Sequence, residues 1–345
     1  MRALIKTAPG IGNLDVLDTA LPVPGPGEAL VRIGHSGLCG TDLLVYDDRY
    51  RGRNRPMPFP LVLGHEASGE IVDLGPGTAW PDRATRVAIE AVTGCGSCYH
   101  CVRGNYNLCQ DWHHIGLTRA GVLAECVVVP TTSLLPLPDE VTLESAACLE
   151  PLATAVHTVE RVKPRPGTSA AIVGPGPLGC LHLQLLQAAG VGPIVIYGQA
   201  GDEARLALAA SLGAGTFVGD RPAIAAHAND ATHGIGFGLS IESGGTSTAT
   251  QTALEIVACN GTLVSLGIVQ PTEIEVLQVM RKNLTWIGVV ASVRRHFADA
   301  IELIRTARVR PDELITHRLP LEDALAGLRL LRQRDAIKVM FTLTA

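Results

Sequence analysis

Three glycines at a fixed spacing constrain the fold of this chain more than any other feature. They form a G-x-G-x-x-G pattern directly after the apolar segment 170–173, which is predicted to be a buried strand. A helix is predicted to begin inside the pattern. In this context the glycines let the backbone approach a pyrophosphate at the amino end of the helix, whereas a turn that merely needs glycine leaves the triple spacing unexplained. The pattern predicts a dinucleotide-binding turn made of Gly174, Gly176, Pro177, Leu178 and Gly179.

Around this pattern the chain changes from a β-rich texture to an alternation of strands and helices. Short strands separated by turns are predicted at 29–33, 69–72, 86–89 and 125–129. The apolar spacing is helical over 144–162, and beyond it strands at 170–173 and 194–197 alternate with helices at 178–189 and 202–212. Such alternation is typical of a doubly wound parallel sheet, so the fold class is predicted to be α/β.

The order of these textures predicts two domains, for which a chain of 345 residues is long enough. Residues 1–152 are expected to form a β-rich domain, and residues 297–345 are expected to return and complete it. Residues 153–296 are expected to form the parallel-sheet, dinucleotide-binding domain.

Charge and hydropathy argue against nucleic acid and membranes as partners. The 28 Lys and Arg and 33 Asp and Glu give a net charge of −5, and no basic run could neutralise a row of phosphates. No charged residue lies between Arg165 and Asp202, but four prolines there break the span into strands and a helix. Because Lys6 interrupts any apolar signal region, we expect a cytoplasmic protein, whose nine cysteines are metal ligands or thiols.

A cluster of four cysteines is the sharpest chemical signal. Cys95, Cys98, Cys101 and Cys109 lie within fifteen residues, in a glycine-rich loop. Four thiolates can surround one zinc ion tetrahedrally and leave no open position, which is typical of a structural site. An iron–sulfur cluster is the alternative, since its cysteine runs look similar. We therefore predict a structural zinc lobe over 95–109.

A second set of metal-ligand residue types is dispersed along the first domain. It comprises Cys39, His65, Glu66 and Glu150. A catalytic zinc keeps three protein ligands and one exchangeable position, and thiolate, imidazole and carboxylate are suitable ligands. Taken singly, each residue has an ordinary structural interpretation as a core thiol, a strand-end histidine or a helix charge.

Together with the dinucleotide turn, these motifs closely resemble those of the zinc-dependent medium-chain dehydrogenases/reductases, in the branch of polyol (sorbitol-like) and threonine dehydrogenases. The most specific marks are Gly-His-Glu-Ala at 64–67, the cysteine lobe and Leu-Glu-Pro-Leu-Ala-Thr at 149–154. The resemblance covers nearly the whole chain. It implies a GroES-like catalytic domain and a Rossmann domain, with the active site in the cleft between them.

The resemblance also implies roles for individual residues. Cys39, His65 and Glu150 would hold a catalytic zinc directly or through water, and Glu66 would lie beside the ion as an outer or alternate ligand. Among the remaining residues, Thr41 would pass on the substrate proton, Asp42 would orient the Cys39 loop, and the cofactor would be contacted by Thr154, Leu178, Leu266 and Gly267.

Two departures from the family pattern bear on substrate and cofactor. Leu44 stands where many relatives, threonine dehydrogenases included, carry a histidine. At the end of the second Rossmann strand, Gly198 and Gln199 replace the acid that normally binds the ribose hydroxyls. No basic residue appears before Arg205 to attract a 2′-phosphate, and the nearby Asp202 and Glu203 would oppose one. We expect NAD as the cofactor and leave NADP open.

The expected function is reversible oxidation of a secondary alcohol or polyol to a ketone. The alternatives are an NADPH-dependent carbonyl reductase, a threonine dehydrogenase-like amino-alcohol enzyme, and a catalytically silent, zinc-stabilised nucleotide-binding protein. The expected partners are a small alcohol or ketone and, by resemblance, a second copy of the chain in a homodimer or homotetramer.

Several other residues are expected to be unremarkable. We predict that Cys126, Cys148, Cys180 and Cys259 are buried thiols. His113 and His114 are expected to form an exposed loop pair, with zinc binding as the alternative. Arg294, Arg295 and His296 are expected to form a solvated turn, with contact to a cofactor phosphate as the alternative.

Overall fold

The computed structural model describes residues 1–50, 52, 55–79, 82–267 and 271–343. The chain forms two compact units, one made of Met1–Ala153 and Ala291–Ala345 and the other of Thr154–Val290. Along the chain, the second unit is inserted into the first. Its boundaries fall at 153/154 and 290/291, beside the expected 152/153 and 296/297.

The first unit opens with short strands and few helices. Its elements are β1 (Arg2–Lys6), β2 (Leu14–Asp18), β3 (Glu28–Leu38), α1 (Gly40–Tyr46), β4 (Leu61–Val62), β5 (Glu66–Leu74), β6 (Arg86–Ile89), β7 (Val92–Thr93), β8 (His113–His114), β9 (Cys126–Pro130), β10 (Leu134–Pro136) and α2 (Leu143–Ala146). Helix α3 (Leu149–Val162) begins in this unit and continues past Ala153 into the second.

The second unit alternates strands with helices. Its elements are β11 (Ala170–Val173), α4 (Pro177–Ala188), β12 (Ile194–Gly198), α5 (Glu203–Ser211), β13 (Gly215–Val218), α6 (Arg221–Ala231), β14 (Phe237–Glu242), α7 (Ser247–Ile256), β15 (Val257–Ser265), α8 (Val276–Arg281) and β16 (Thr285–Gly288). The six strands pair in parallel in the order β13-β12-β11-β14-β15-β16. Every residue of β11 is buried, as expected for a central strand covered on both faces. This is the Rossmann strand order, so the predicted fold class is confirmed.

The last elements return to the first unit and complete its main sheet. They are α9 (Arg294–Arg305), β17 (Ile315–Pro320), α10 (Ala324–Gln333) and β18 (Lys338–Thr342). The sheet has the order β10-β6-β5-β3-β18-β17, with β9 also pairing with β3. β3 is central, and its residue Gly37 lies opposite Glu66 of β5 and Met340 of β18.

The predicted helix over 144–162 is wrong in one respect, because it is two helices. α2 ends at Ala146 and α3 starts at Leu149. Pro151 has no N–H, and inside a continuous helix its ring would clash with the carbonyl of Ala147. In the first turn of α3 the missing donor costs nothing, so the helix restarts there. Among the described residues, no helix combines the length and apolar character needed to cross a membrane.

Candidate metal centre and cofactor-binding loops

The first group of candidate ligands lies where β3 ends and β5 begins. Cys39 follows β3 and is the N-cap residue of α1. His65 directly precedes Glu66, the first residue of β5. Antiparallel pairing of the two strands brings these ends together. One ligand atom from each of Cys39, His65 and Glu66 lies within 4.8 Å of the others. Thiolate, imidazole and carboxylate at this separation are a donor set that suits zinc.

Asp42 orients two members of this group from the first turn of α1. Its Oδ2 accepts a hydrogen bond from the backbone N–H of Cys39 at 2.9 Å. Its Oδ1 lies 3.9 Å from Nδ1 of His65, and both of these buried atoms lack a hydrogen-bond partner among the described residues. With Nδ1 facing a carboxylate, Nε2 of His65 is the nitrogen available to a metal.

The charges around His65 suit a cation. Burial acts to lower the pKa of His65, but Cys39, Asp42 and Glu150 raise it well above its ordinary value. A cluster that stabilises a proton on a buried imidazole this strongly also has the negative charge to hold a divalent ion. The donor set and its charge therefore fit the zinc ion that the sequence predicts.

Glu150 lies near this group but outside its compact core. It stands in the first turn of α3 and is not among the three residues whose ligand atoms lie within 4.8 Å. Burial raises the pKa of Glu150 to about 7, with His65 lowering it and Glu66 raising it further. The structure thus brings Glu66, rather than Glu150, into closest contact with Cys39 and His65.

Lys338 is a residue of this site that sequence reasoning missed. Its ammonium forms an ion pair with Oε2 of Glu66, and both side chains are 2% exposed. Nζ also donates to the carbonyl of Leu38 at 3.2 Å. Burial acts to lower the pKa of Lys338, but Glu66 and Cys39 raise it above its ordinary value. The available signal was a lone lysine inside the apolar run 336–341, because such a charge needs a buried partner.

Thr41 and Leu44 occupy the helix that follows Cys39. The hydroxyl oxygen of Thr41 lies 3.7 Å from Sγ of Cys39 and accepts a hydrogen bond from the thiol. Thr41 and Leu44 are both half-buried.

His114 also lies beside the metal-ligand group, so the expected exposed histidine pair is wrong. Strand β8 pairs with β7, which buries His114 and leaves His113 half-buried. The His114 ring packs edge-on against the His65 ring, with centroids 5.2 Å apart. Burial, followed by the charge of His65, lowers the pKa of His114 to about 3. Nδ1 lies 2.7 Å from the carbonyl of Ile115, so that nitrogen carries the proton.

The four cysteines of the lobe form a second compact group. Their sulfurs lie within 4.8 Å of one another, and none is in a disulfide. Cys109 is buried, and its Sγ accepts hydrogen bonds from the N–H groups of Cys95 at 3.4 Å and Asp111 at 3.3 Å. Backbone N–H groups of Ser97 and Cys98 lower the pKa of Cys95 to about 6. These donors stabilise thiolate, the form that binds zinc.

The lobe is tied to the sheet through a buried carboxyl group. Tyr106, in the lobe, donates its hydroxyl to Oε1 of Glu90, and the N–H of Arg294 donates to the same hydroxyl oxygen at 2.5 Å. Arg294 also donates to the carbonyls of Thr132 and Leu134 at 2.9 and 2.8 Å.

The expected solvated turn at 294–296 is therefore wrong. These residues start helix α9, where His296 is buried and its Nδ1 accepts the N–H of Val293 at 3.1 Å. Among the other thiols, Cys148 and Cys180 are buried as expected, whereas Cys126 is half-buried and Cys259 is exposed on β15.

In the second unit, the glycine turn has the geometry its spacing predicts. Gly174 has φ +117°, a conformation that other residues rarely adopt. A Cβ on Gly179 would lie 2.1 Å from the carbonyl oxygen of Gly174, so close packing of helix on strand requires glycine there. Gly176 caps α4 just before Pro177, and a Cβ at this position would meet no atom within 4 Å. The amino end of α4 is thus open for an anion.

A carboxylate lies near the end of β12, although not at the position where the family normally carries its ribose-binding acid. Asp202 is buried, and its Oδ2 accepts the N–H of Gln199 at 3.1 Å. Its Oδ1 lies 3.8 Å from a guanidinium nitrogen of Arg205. Gly198, the last residue of β12, would place a Cβ 3.0 Å from that of Asp202. Arg205 is thus paired with an acid at this corner.

Glu242 is a second residue that sequence reasoning missed. It is fully buried at the end of β14, and its carboxylate accepts the N–H groups of Gly245 at 2.6 Å and Gly267 at 3.2 Å. A Cβ on Gly267 would lie 2.3 Å from Cα of Gly245. Glu242 therefore joins the loop of Leu266 and Gly267, both expected to contact the cofactor, to the loop that contains Gly245. Thr154 is half-buried on α3.

Comparison with known proteins supports the family resemblance that the sequence motifs predict. Residues 25–139 match the alcohol dehydrogenase GroES-like domain, and residues 177–306 match the zinc-binding dehydrogenase family. The chain is 29% identical to a sorbitol dehydrogenase of Halalkalibacterium halodurans over 99% of each chain. It is 32% identical to an L-threonine 3-dehydrogenase of Pyrococcus horikoshii, again over 99% of each.

A solved structure of an alcohol dehydrogenase also has the same fold. The chain superposes with a TM-score of 0.88 on a short chain alcohol dehydrogenase from Escherichia coli complexed with NADH, at 25% identity and 99% coverage of both chains. In chain order, the first match lies within the first compact unit, and most of the second match lies within the second unit. The predicted resemblance is confirmed, and the chain belongs to the zinc-binding dehydrogenase family with an alcohol dehydrogenase GroES-like domain.

Proposed function

We propose that this enzyme oxidises a secondary alcohol or polyol to a ketone, with zinc at the Cys39 group and NAD as hydride acceptor. The proposal rests chiefly on one observation, the convergence of Cys39, His65 and Glu66 within 4.8 Å. The first compact unit would act as the catalytic domain and the second as the dinucleotide-binding domain.

Two ions are proposed, with different duties. Cys39 and His65 would hold the catalytic ion, with Glu66 or Glu150 as the third ligand and a fourth position left for the substrate oxygen. The four cysteines of the lobe would hold the structural ion. When bound at the first site, zinc acts as a Lewis acid that stabilises the alkoxide form of the substrate.

The reaction then requires the loss of a proton and a hydride from the alcohol. The O–H bond breaks and its proton leaves, while the C–H bond breaks and its electron pair passes with hydrogen to C4 of the nicotinamide. We assign the first proton-accepting position to the hydroxyl of Thr41, which lies 3.7 Å from Sγ of Cys39. Asp42 keeps the Cys39 loop and the His65 ring in place. Leu44 cannot relay a proton, so the exit route differs from that of relatives with histidine there.

The preference for NAD is supported by the corner at the end of β12. A 2′-phosphate needs a free basic side chain, and Arg205 is paired with Asp202. The buried Asp202 also adds negative charge there. The pyrophosphate would bind at Gly174, Gly176 and Gly179, with Leu178 packed against the cofactor.

Assembly into a homodimer or homotetramer is proposed from the second unit. β16 is an edge strand of its sheet, and Trp286 of that strand is exposed, as are Val276, Leu277 and Met280 of the neighbouring α8. Exposed apolar groups beside an open strand edge favour association with a second copy. A cytoplasmic location is proposed as well, since zinc-binding thiols persist best where cysteines stay reduced.

A panel assay tests the function. Purified enzyme with measured zinc content is offered secondary alcohols, polyols and amino alcohols, with NAD and NADP in parallel. Reduction of NAD by polyols or simple secondary alcohols is the expected result. Preference for amino alcohols would favour the threonine dehydrogenase-like alternative, and turnover only with NADPH and ketones would favour the reductase.

The variant Cys39→Ser separates an enzyme from a silent binding protein. We expect turnover to collapse while binding of the reduced cofactor NADH, followed by its nicotinamide fluorescence, persists. Cys126→Ser, a half-buried cysteine outside both metal groups, serves as the matched control. Equal activity of the two variants would refute the proposed function.

A further inference from the structure

A buried ion pair crosses the middle strand of the first unit beside the metal-ligand group. Glu66 lies on β5 and Lys338 on β18, and β3 runs between them. Gly37 makes this possible, because a Cβ there would lie 2.4 Å from Oε2 of Glu66 and 2.7 Å from Cε of Lys338. The ion pair therefore occupies the space that a side chain at position 37 would fill.

Lys338 engages only part of the Glu66 carboxylate. Its Nζ binds Oε2, and it also donates to the carbonyl of Leu38, the residue before Cys39. Oε2 is thus committed to the ammonium, and Oε1 is the carboxylate oxygen that Lys338 leaves available. A carboxylate without such a partner can bind a metal through both oxygens.

The number of oxygens that Glu66 offers matters to the chemistry. A catalytic zinc needs an exchangeable position for the substrate. If Glu66 bound the ion through both oxygens, that position would be filled by protein. Glu150 stands nearby as another carboxylate, so the site holds more potential oxygen ligands than a four-coordinate ion with an open position can use.

We propose that Lys338 is a positioning residue for the metal centre, which holds Oε2 of Glu66 so that this carboxylate presents one oxygen and a coordination position stays free for substrate. This inference rests on the proposed zinc site. It concerns how the ligand is restrained, not which reaction is catalysed.

The direction of the effect separates this role from simple structural support. Loss of a residue that merely supports a metal site loosens the ion, commonly by 10-fold to 100-fold in affinity. Removal of Lys338 by Lys338→Met has the opposite consequence here, because Glu66 then gains freedom to bind through both oxygens. We expect the ion to be held more tightly and turnover to fall.

The experiment uses cobalt in place of zinc at the catalytic position of the full-length enzyme. Visible absorption reports coordination number, since four-coordinate cobalt absorbs more strongly than five-coordinate cobalt. For Lys338→Met we expect weaker absorption bands and, with zinc, release to a chelator that is slower by about 10-fold, the scale of outer-sphere effects on metal sites. Faster release, or slower release with an unchanged cobalt spectrum, would overturn the proposal.

A double-mutant cycle tests whether the effect runs through Glu66. Glu66→Gln replaces the carboxylate by a weak ligand, so adding Lys338→Met to it is expected to leave the spectrum and the release rate unchanged. The double variant removes both buried charges, which proteins often tolerate even where loss of one partner unfolds them. A further change on adding Lys338→Met would refute the proposal even if the single variant did not fold.

Failure of the proposed function is visible separately. If the wild-type enzyme bound no cobalt at Cys39 and His65, the proposed zinc site itself would be wrong. Wild-type loading is therefore measured first, and Cys39→Ser supplies the blank for the cobalt bands.

Discussion

The carboxyl group of Glu90 makes the stability of the first unit depend on pH. Glu90 is 2% exposed, and burial raises its pKa to about 7 from an ordinary value of 4.5, although Tyr106 and Arg294 act to lower it. In the unfolded chain the same group titrates near its ordinary value. Between these two pH values the folded state therefore binds more protons than the unfolded state, so stability falls as pH rises.

The size of the effect follows from the two pKa values. One pKa unit corresponds to about 1.4 kcal/mol. From pH 5 to pH 8, ionisation of Glu90 is expected to lower the free energy of unfolding by about 2 to 3 kcal/mol. The full stabilisation is present below the unfolded pKa, and the loss levels off above the folded one.

Glu90→Gln removes the titration while keeping an acceptor for Tyr106. Urea unfolding at pH 5 and pH 8 is followed by tryptophan fluorescence. Trp112, one of the three tryptophans of the chain, packs against Cys109 and Val92. We expect the variant to lose about 2 to 3 kcal/mol less than the wild type over this range. Asp18→Asn, an exposed carboxylate on β2, is the control. Parallel pH dependence in wild type and Glu90→Gln would refute the reasoning.

Three further predictions concern the cofactor turn, the loops beside it and the lobe. Gly179→Ala should destabilise the protein, since its Cβ would meet a carbonyl oxygen at 2.1 Å, whereas Gly176→Ala has open space around it and should weaken NAD binding while leaving the melting temperature unchanged. Glu242→Gln removes a charged acceptor of two loop N–H groups, so KM for NAD should rise about 10-fold, as expected for loss of about 1.5 kcal/mol; an unchanged KM would contradict this. Cys101→Ser should lower the zinc content by one ion per chain and lower the melting temperature, while Cys259→Ser, at an exposed thiol, should do neither.

Features encoded by near neighbours in the chain were predictable from sequence. The glycine turn, the cysteine lobe and the alternation of strands with helices each depend on spacings of a few residues, where backbone geometry leaves few choices. Both the fold class and the family were accordingly confirmed. The helix break before Pro151 also had a sequence signal, because a proline inside a helix clashes with the carbonyl group four residues earlier.

Tertiary structure decided which distant residues meet. Lys338 reaches Glu66 only because β18 pairs beside β3 and Gly37 leaves space between them. Glu242 joins two loops only because β14 and β15 are adjacent. His114 meets His65 through a two-residue strand, which is too short to show the alternating hydrophobic pattern of a strand in the sequence. Sequence patterns report local periodicity and turn chemistry, whereas strand order and register depend on the packing of the whole domain.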